Sequence, residues 1–556
     1  MESLSFIMQK IFYSVESQNK KNSVYKIIDF LILLFVFFAI VVFIFLPFVC
    51  VLKEAFFKDA NFNVEGIFTI LKNKSYLVKN SLITGILTAV LTSLASISVA
   101  LFYFVSGRKT QKLIFIILAT TMISPPFVTS LGYINLFGRR GIISYYILKL
   151  SINPYGMLGI VLMQVLGGFS LASLILIGFL SNFDSFQIDS ARNLGAKTNT
   201  IITDIILPNL MPAIRTLTVL SFFRSLSDFG TPAIIGGAFD VMATESYFAL
   251  IARGDINEAA ILNVIILLPA FLIFIFYQKS FKNFSGVSKG LSSSEMKLER
   301  KGFLVHFFSA VGIFFLLWIS LQYFSIILSA FTRMQKGQLR FSLLNFSDAL
   351  PYIDGTIFRS IVYSLIAALS VSILGFLVGY YNKIKKIKIY KAVDFISTLP
   401  YIIPGTFFGI GYLLAFRNPP FALTGTASIV VLNMIFKQMP FSNNVANATM
   451  SEISSDVIDS VRDLGGSTLH EFSDAVFPLS LHGLGVSFIN GFTSTMTTLG
   501  SIIFLIYPSQ KVLTLTMFDL IQSGKYNEGA VLALLIILIC LFVNLIYLLV
   551  LQKLKK

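Results

Sequence analysis

DSARNLGAKTNTIITDIILPNL, residues 189–210, carries charge and helix-compatible spacing, yet it sits between two long apolar segments. The pattern returns as DSVRDLGGSTLHEFSDAVFPLS, residues 459–480. A displacement of 270 residues lays Asp189, Ser190, Arg192, Leu194, Gly195, Thr198, Asp204 and Pro208 on identical residues without a gap. Internal repetition over such a distance fixes the architecture. The same displacement carries GDINEAAI at Gly254 onto GKYNEGAV at Gly524. Nearer the start of each copy it becomes 279, placing PPFVTSLGY at Pro125 on PGTFFGIGY at Pro404 and Asn80-Ser81 on Arg359-Ser360. The second copy is therefore shorter between its third and fourth apolar segments.

The 556 residues are 56% hydrophobic and only 13% charged, with 57 Phe, which excludes a soluble globular chain. Apolar segments run near 28–52, 80–104, 113–137, 155–180, 210–237 and 259–277, then near 303–330, 359–381, 392–415, 423–446, 480–506 and 529–551. At about 1.5 Å per helical residue, such segments cross roughly 30 Å of hydrocarbon. The expected fold is an all-α integral membrane protein with about twelve transmembrane helices in two parallel six-helix repeats. An even number of spans returns the chain to the same side, so the repeats are related by an axis along the membrane normal.

The units are 28–278, with its core at 75–278, and 303–556, with its core at 355–552. A cytoplasmic arm, 1–27, precedes them and a polar, basic linker, 279–302, joins them. The leader before the first apolar run is too long for a signal peptide, so that run is expected to stay as a helix.

The net charge of +16 lies mostly in short connections beside the spans. That is the positive-inside bias rather than a nucleic-acid surface, and it puts both termini, the linker and both copies of the opening motif on the cytoplasmic side of a cell membrane. Cys50 and Cys540 stand in apolar surroundings, which suggests neither a disulfide framework nor a thiolate site. His306, His470 and His482 have no partners at ligand spacing, so no metal site is expected. The closest approach to a phosphate loop, SGRKT at Ser106, lacks the first Gly and has Arg in place of Lys. ATP hydrolysis by this chain alone is thereby excluded, and no catalytic residue is assigned.

Within the opening motif, SFQIDSARNLGA reads as a short helix up to Gly195, where glycine can take the positive φ that redirects the chain. A second short helix, TNTIITDIIL, follows and is expected to stop at Pro208. Ile188, Ala191 and Leu194 fall on one side, leaving Asp189 and Arg192 to solvent or a partner. A surface hairpin joining two span ends would explain one copy. Two copies keeping Asp, Arg, Gly and Pro at one spacing point to a shared mechanical task.

Polar residues inside the spans are costly in hydrocarbon and mark a translocation path or interhelical bonds. Gln164, Asp228, Lys437, Gln438 and Asn490 are the path candidates. Arg224 lies one turn before Asp228, so an i, i+4 ion pair accounts for both.

These residues resemble the membrane permeases of binding-protein-dependent ABC importers, type I. The family loop reads Glu-Ala-Ala, three residues, Gly, nine residues, Ile, one residue, Leu-Pro. Here Asp189-Ser190-Ala191, Gly195, Ile205 and Leu207-Pro208 fill the pattern. The second copy has Asp459-Ser460-Val461, Arg462, Gly465 and Phe477-Pro478, with Ala475 where Ile is usual. The fused halves, with SDFGTPAIIGG at Ser227 and TTLGSIIFLIYPSQ at Thr497, are most similar to the ferric-iron branch. Related permeases handle thiamine, polyamines, sulfate or phosphonates.

The resemblance implies a transport subunit rather than an enzyme, importing a small solute from an extracytoplasmic solute-binding protein. Two copies of a cytosolic ATPase would dock on the loops and hold the ATP-Mg, with no cofactor in this chain. A secondary ion-coupled transporter, which also uses repeated bundles and midplane charges, is the alternative outside the class.

Overall fold

The computed structural model describes residues 23–58, 61–125, 127–139, 141–149, 153–282, 298–335, 338–466 and 470–554. The arm before residue 23, most of the basic linker and the last two tail residues lie outside the described residues.

Each apolar segment is helical, but they are not twelve uniform rods. Among the described residues eight helices are long and apolar enough to span a membrane, or nine if the bent pair Tyr390–Ile402 and Gly405–Ala415 is one span. Proline accounts for the breaks, because it lacks the N–H for the helical ladder and pushes the preceding residue out of helical geometry. The pair just named turns by 117° at Ile403-Pro404. The third segment likewise divides into Arg108–Met122 and Val128–Phe137 beyond Pro125, and the tenth into Ala427–Lys437 and Met439–Glu452 with Pro440 in its first turn.

The first segment of each repeat ends in a feature absent from the hydrophobic pattern. A small antiparallel hairpin follows it, Phe57–Lys58 with Asn61–Phe62 in one repeat and Thr332–Gln335 with Gln338–Phe341 in the other. Short helices Val64–Asn73 and Leu344–Ile353 come next. Two further short helices, Met242–Arg253 and Leu513–Gln522, precede the last span of each repeat. Their first amides need an acceptor, since no carbonyl one turn earlier exists for them. Ser81 Oγ accepts from Met242 N at 2.9 Å, and Ser360 Oγ from Leu513 N at 2.8 Å. The echo of Asn80-Ser81 in Arg359-Ser360 therefore preserves a helix cap.

The repeats exchange their first helices. The segment 23–56 packs on the second repeat, where Tyr381 donates to Asp29 Oδ1 at 2.9 Å, Tyr390 to Leu33 O at 2.7 Å and Tyr412 to Phe43 O at 2.8 Å. The helix Phe303–Phe331 packs on the first repeat, where Ser325 donates to Gly132 O at 3.3 Å and Gln322 to the Met163 sulfur at 3.2 Å. Lipid supplies no hydrophobic drive between helices, so close backbone approach and interhelical bonds of about 0.6 kcal/mol each must hold such a contact. Glycine permits that approach. A Cβ on Gly411 would lie 2.8 Å from Pro47 O, and one on Gly312 2.9 Å from Ser98 O.

The cores follow the exchange. One buried cluster joins first-repeat residues Val165, Phe169 and Leu210 to Val305, Phe315 and Ile319 of the 303–331 helix. The larger one runs through the centre, where Phe229 meets Tyr247 at 5.1 Å and Phe518 at 5.9 Å between ring centroids, and Tyr247 meets Phe504 at 6.1 Å. Beside these rings Thr406 donates to Asn263 Oδ1 across the repeats at 2.8 Å.

Candidate functional site

The two loops are built alike. Ser185–Asn193 and Ser455–Asp463 are helices of one length, and each ends in a pair of reversed bonds. Gly195 N donates to Arg192 O at 2.9 Å and Ala196 N to Ala191 O at 2.9 Å, while Gly465 N donates to Arg462 O and Gly466 N to Val461 O, both at 2.8 Å. This left-handed termination satisfies carbonyls the helix end leaves open. The glycines take φ of +84° and +81°, and an added Cβ at either would meet nothing within 4 Å. Glycine is required there for backbone conformation, not for space.

The apolar stripe expected on the first loop helix divides. Ile188 is buried against the bundle and Ala191 is half-buried, but Leu194 is 89% exposed because the chain has already left the helix at that point. Leu464 is also 89% exposed, and Ile458 is buried. Two isolated leucines thus project from equivalent corners of the same face. Asp189 pairs with Arg192 at 3.4 Å and Asp459 with Arg462 at 3.1 Å, while Ser190 and Ser460 are exposed beside them. Val461 is half-buried, as are Ile205 and Leu207.

Pro208 does not stop a second short helix. Residues 198–227 form one continuous helix, with a wide turn at Ile201–Ile206 in which Leu207 N bonds to Ile202 O. A five-residue hydrogen-bond step there leaves the following proline in a first turn, where no N–H is needed. Pro478 follows the same wide turn at Glu471–Val476, with Phe477 N bonded to Phe472 O. The loops therefore feed directly into the fifth and eleventh spans.

The second loop carries an arginine–carboxylate bridge between its two helices. Arg462 Nε lies 2.6 Å from Glu471 Oε1 and Nη2 lies 3.2 Å from Oε2, a two-pronged bridge, and Glu471 is only 3% exposed. These bonds raise the Arg462 pKa further, against the lowering effect of burial. At the equivalent position the first repeat has Ile201, 1% exposed. A carboxylate at the mouth of the span where the first repeat has Ile was the available sequence signal for Glu471.

Among the path candidates, the structure brings Gln164 and Asp228 together. Gln164 Nε2 donates to Asp228 Oδ2 at 3.2 Å, and its Oε1 accepts from Ser225 Oγ at 2.6 Å and Thr88 Oγ1 at 3.0 Å. Asp228 Oδ1 accepts from Thr231 N at 3.1 Å, capping the short Gly230–Ile235 helix. The expected Arg224–Asp228 ion pair does not form. Helix Leu207–Ser227 ends one residue earlier and Asp228 is extended, so the i, i+4 geometry is lost. Thr88 and Ser225 escaped sequence reasoning because small hydroxyls are ordinary in spans.

Lys437, Gln438 and Asn490 are not joined to that cluster by any hydrogen bond or ion pair among the described residues. Lys437 Nζ donates to Pro400 O at 2.7 Å and Ile403 O at 2.8 Å, satisfying carbonyls freed at the 117° bend. Gln438 ends the Ala427–Lys437 helix, and Asn490 Oδ1 accepts from Ser494 at 3.4 Å. At the 270-residue displacement Arg224 and Asp228 fall on Ser494 and Thr498, so the charged break belongs to the first repeat alone. A second polar knot, with Asp394 Oδ1 accepting from Asn443 at 2.7 Å and Asn447 at 2.6 Å, belongs to the second.

A duplicated multi-pass bundle, with matched loops at one end and a polar break between its spans, defines a membrane transport permease. The chain matches the binding-protein-dependent transport system inner membrane component family over residues 85–284 and 371–556, and it belongs to that family. It is 27% identical over 531 residues to the ferric transport system permease protein FbpB of Actinobacillus pleuropneumoniae, covering 92% of this chain and 76% of the relative. The putative ferric transport system permease protein FbpB 1 of Haemophilus influenzae is also 27% identical, over 86% of this chain and 78% of the relative. A putative 2-aminoethylphosphonate transport system permease protein, PhnV of Salmonella typhimurium, is 24% identical over 43% of this chain and 87% of the relative. The protein is a multi-pass inner-membrane permease of a binding-protein-dependent ABC importer.

Proposed function

We propose that this permease carries ferric iron inward, received from an extracytoplasmic binding protein and driven by two copies of a cytosolic ATPase. Substrate and fused architecture go together in this reading: the ferric relatives align along both repeats, whereas the phosphonate relative aligns with less than half of the chain. Both termini and both loops face the cytoplasm. ATP-Mg is held by the partner and not by this chain.

The observation that carries the drive is the pair of exposed leucines. Leu194 and Leu464, each 89% exposed on matched loops, offer apolar knobs to one partner surface presented twice. Asp189, Ser190, Ala191 and Arg192 flank the first knob, and Asp459, Ser460, Val461 and Arg462 the second. Closure of the ATPase dimer pulls both loops, and the continuous helices beyond them move one repeat against the other. The solute passes the polar break at Gln164 and Asp228, where a carboxylate offers the oxygen a hard cation prefers.

Two measurements test this. Leu194→Asp with Leu464→Asp is expected to abolish ATPase co-purification while the permease stays folded, and retained co-purification with normal uptake would refute the docking role. Cells lacking the chain are expected to lose uptake of labelled iron. Unchanged iron uptake together with lost phosphonate, polyamine or thiamine uptake would move the substrate assignment.

A further inference from the structure

Arg224 places a guanidinium deep in the bundle without a hydrogen bond or ion pair among the described residues. The charge that acts on it is Asp228, whose two oxygens are already taken by Gln164 and Thr231. A Cβ added to Gly168 would lie 4.0 Å from Arg224 Nη1, and Gly168 is at the middle of the 25-residue helix Met157–Ser181. About 18 Å of helix runs to either side, so the side chain cannot snorkel to a membrane surface. Yet the residue is exposed. A charged group at that depth faces the bundle interior or a water-filled cavity, and exposure selects the cavity. The opening continues toward the loops, since Leu171, Ile175 and Gly178 follow Gly168 along one stripe of the helix and all three are exposed.

A second open donor meets the same gap. Thr92 is 1% exposed on the helix Ser75–Val105, and its hydroxyl has no hydrogen-bond partner. That Oγ1 is also 4.0 Å from the point where a Gly168 Cβ would stand. Buried donors in native proteins are almost always satisfied, so two of them around the space of a missing side chain point to a bound group. The second repeat adds a cation at the same depth, because the 270-residue displacement lays Lys437 on Gly167 and the repeats are parallel.

We propose that Arg224, with Thr92 across the gap at Gly168, is an oxyanion site in the path, so that the solute crosses as, or bound to, an anion of the phosphate or carboxylate type. This rests on the reading of the Gln164–Asp228 break as the solute's route. A guanidinium offers five N–H donors in a fork and no acceptor, which matches two oxygens of one anion and repels a bare trivalent cation. Iron that keeps an oxyanion ligand suits both ends of the break, its ligand at Arg224 and its metal at Asp228.

The site is tested by dialysing the full permease, purified in detergent, against labelled phosphate and, in parallel, labelled citrate. Wild type is expected to retain at least one of them. Arg224→Gln is expected to bind that anion about ten- to a hundredfold more weakly, as when a charge-assisted bond is lost, and Thr92→Val about three- to tenfold. Arg224→Met, which keeps the stem and its packing but no donor, is expected to match Arg224→Gln. Should the Arg224 variants fail to stay monodisperse, Thr92→Val carries the expectation. Unchanged retention in a monodisperse variant, or retention of neither anion by wild type, overturns the site. The source of the anion is read in vesicles holding the permease with its ATPase, fed labelled iron and labelled phosphate through the binding protein. Entry of both labels together, both reduced about tenfold by Arg224→Gln, makes the anion a ligand of the iron. Entry of phosphate without iron keeps the oxyanion site and refutes the iron reading. Entry of iron alone, undiminished by Arg224→Gln, keeps the iron reading and refutes the site.

Discussion

Asp228 accepts a 3.2 Å hydrogen bond from Gln164 and makes no ion pair with Arg224, although Arg224 stands four residues before it. The reason is local: the helix ends at Ser227, and the Asp228 carboxylate turns to cap Thr231 N at 3.1 Å. Asp228→Ala removes both bonds. Loss of a cap costs about 1 kcal/mol, so thermal unfolding in detergent is expected to shift only slightly. Uptake is expected to fall by far more, about tenfold or beyond, if the carboxylate lines the path. Equal, small losses in both would assign Asp228 to structure alone.

Gly195 and Gly465 lie at φ of +84° and +81° with open space around the missing Cβ. Substitution there acts through backbone strain of about 1–2 kcal/mol, and Asn tolerates the conformation better than a β-branched residue. Gly195→Val is expected to reduce ATPase co-purification while Gly195→Asn largely keeps it. A steric role would instead grade with side-chain size, which the pair Asn and Val separates from branching.

At the opposite end of the bundle Lys74 bridges Glu245 and Glu258, and Arg253 holds Glu245 at 2.9 Å. Burial alone would push the Glu245 carboxyl up, but the hydrogen bonds and charges of Lys74 and Arg253 hold it below the usual carboxylate value. Burial likewise opposes the charge on Lys74, and its two carboxylate partners raise its pKa. The depressed Glu245 contributes stability above its unfolded value, lost as pH falls through the folded one. The raised Lys74 contributes below its unfolded value, lost as pH rises through the folded one. Lys74→Met is expected to cost about 1–3 kcal/mol at neutral pH, between exposed and buried pairs. The difference from wild type shrinks as pH falls through the acidic range, and a series of melting curves against pH reads it.

The exchanged first helices predict the outcome of cutting the chain. A protease site placed between residues 284 and 296 divides the repeats covalently, but each half retains a helix packed on the other, at Tyr412 with Phe43 O and at Ser325 with Gly132 O. The halves are expected to co-purify in mild detergent after cleavage. Gly411→Leu, which forces a side chain toward Pro47 O at 2.8 Å, is expected to weaken that association. Separation of the cut wild-type halves would contradict the packing.

Much of this was legible in the chain. Hydropathy located the helical segments, and the echo at Asp189 and Asp459 located both loops with their glycine terminators. Hydropathy integrates over many residues, and an identical motif carries its local backbone with it. The breaks were less legible. Pro404 and Pro440 mark where a ladder fails, but not that Lys437 of another helix reaches the Pro400 O and Ile403 O carbonyls freed at the 117° turn.

By itself the sequence determined that this is a duplicated, parallel, helical membrane protein with two matched loops, because composition, period and glycine placement are local or repetitive properties. Only the tertiary structure decided that the first helix of each repeat serves the other. It likewise decided that Asp228 answers to Gln164, that Leu194 stands exposed while Ile188 is buried, and that Arg462 forks onto a buried Glu471. Each of these is a choice of partner in space, and a buried polar or apolar group takes the partner that packing brings within reach, whatever its distance along the chain.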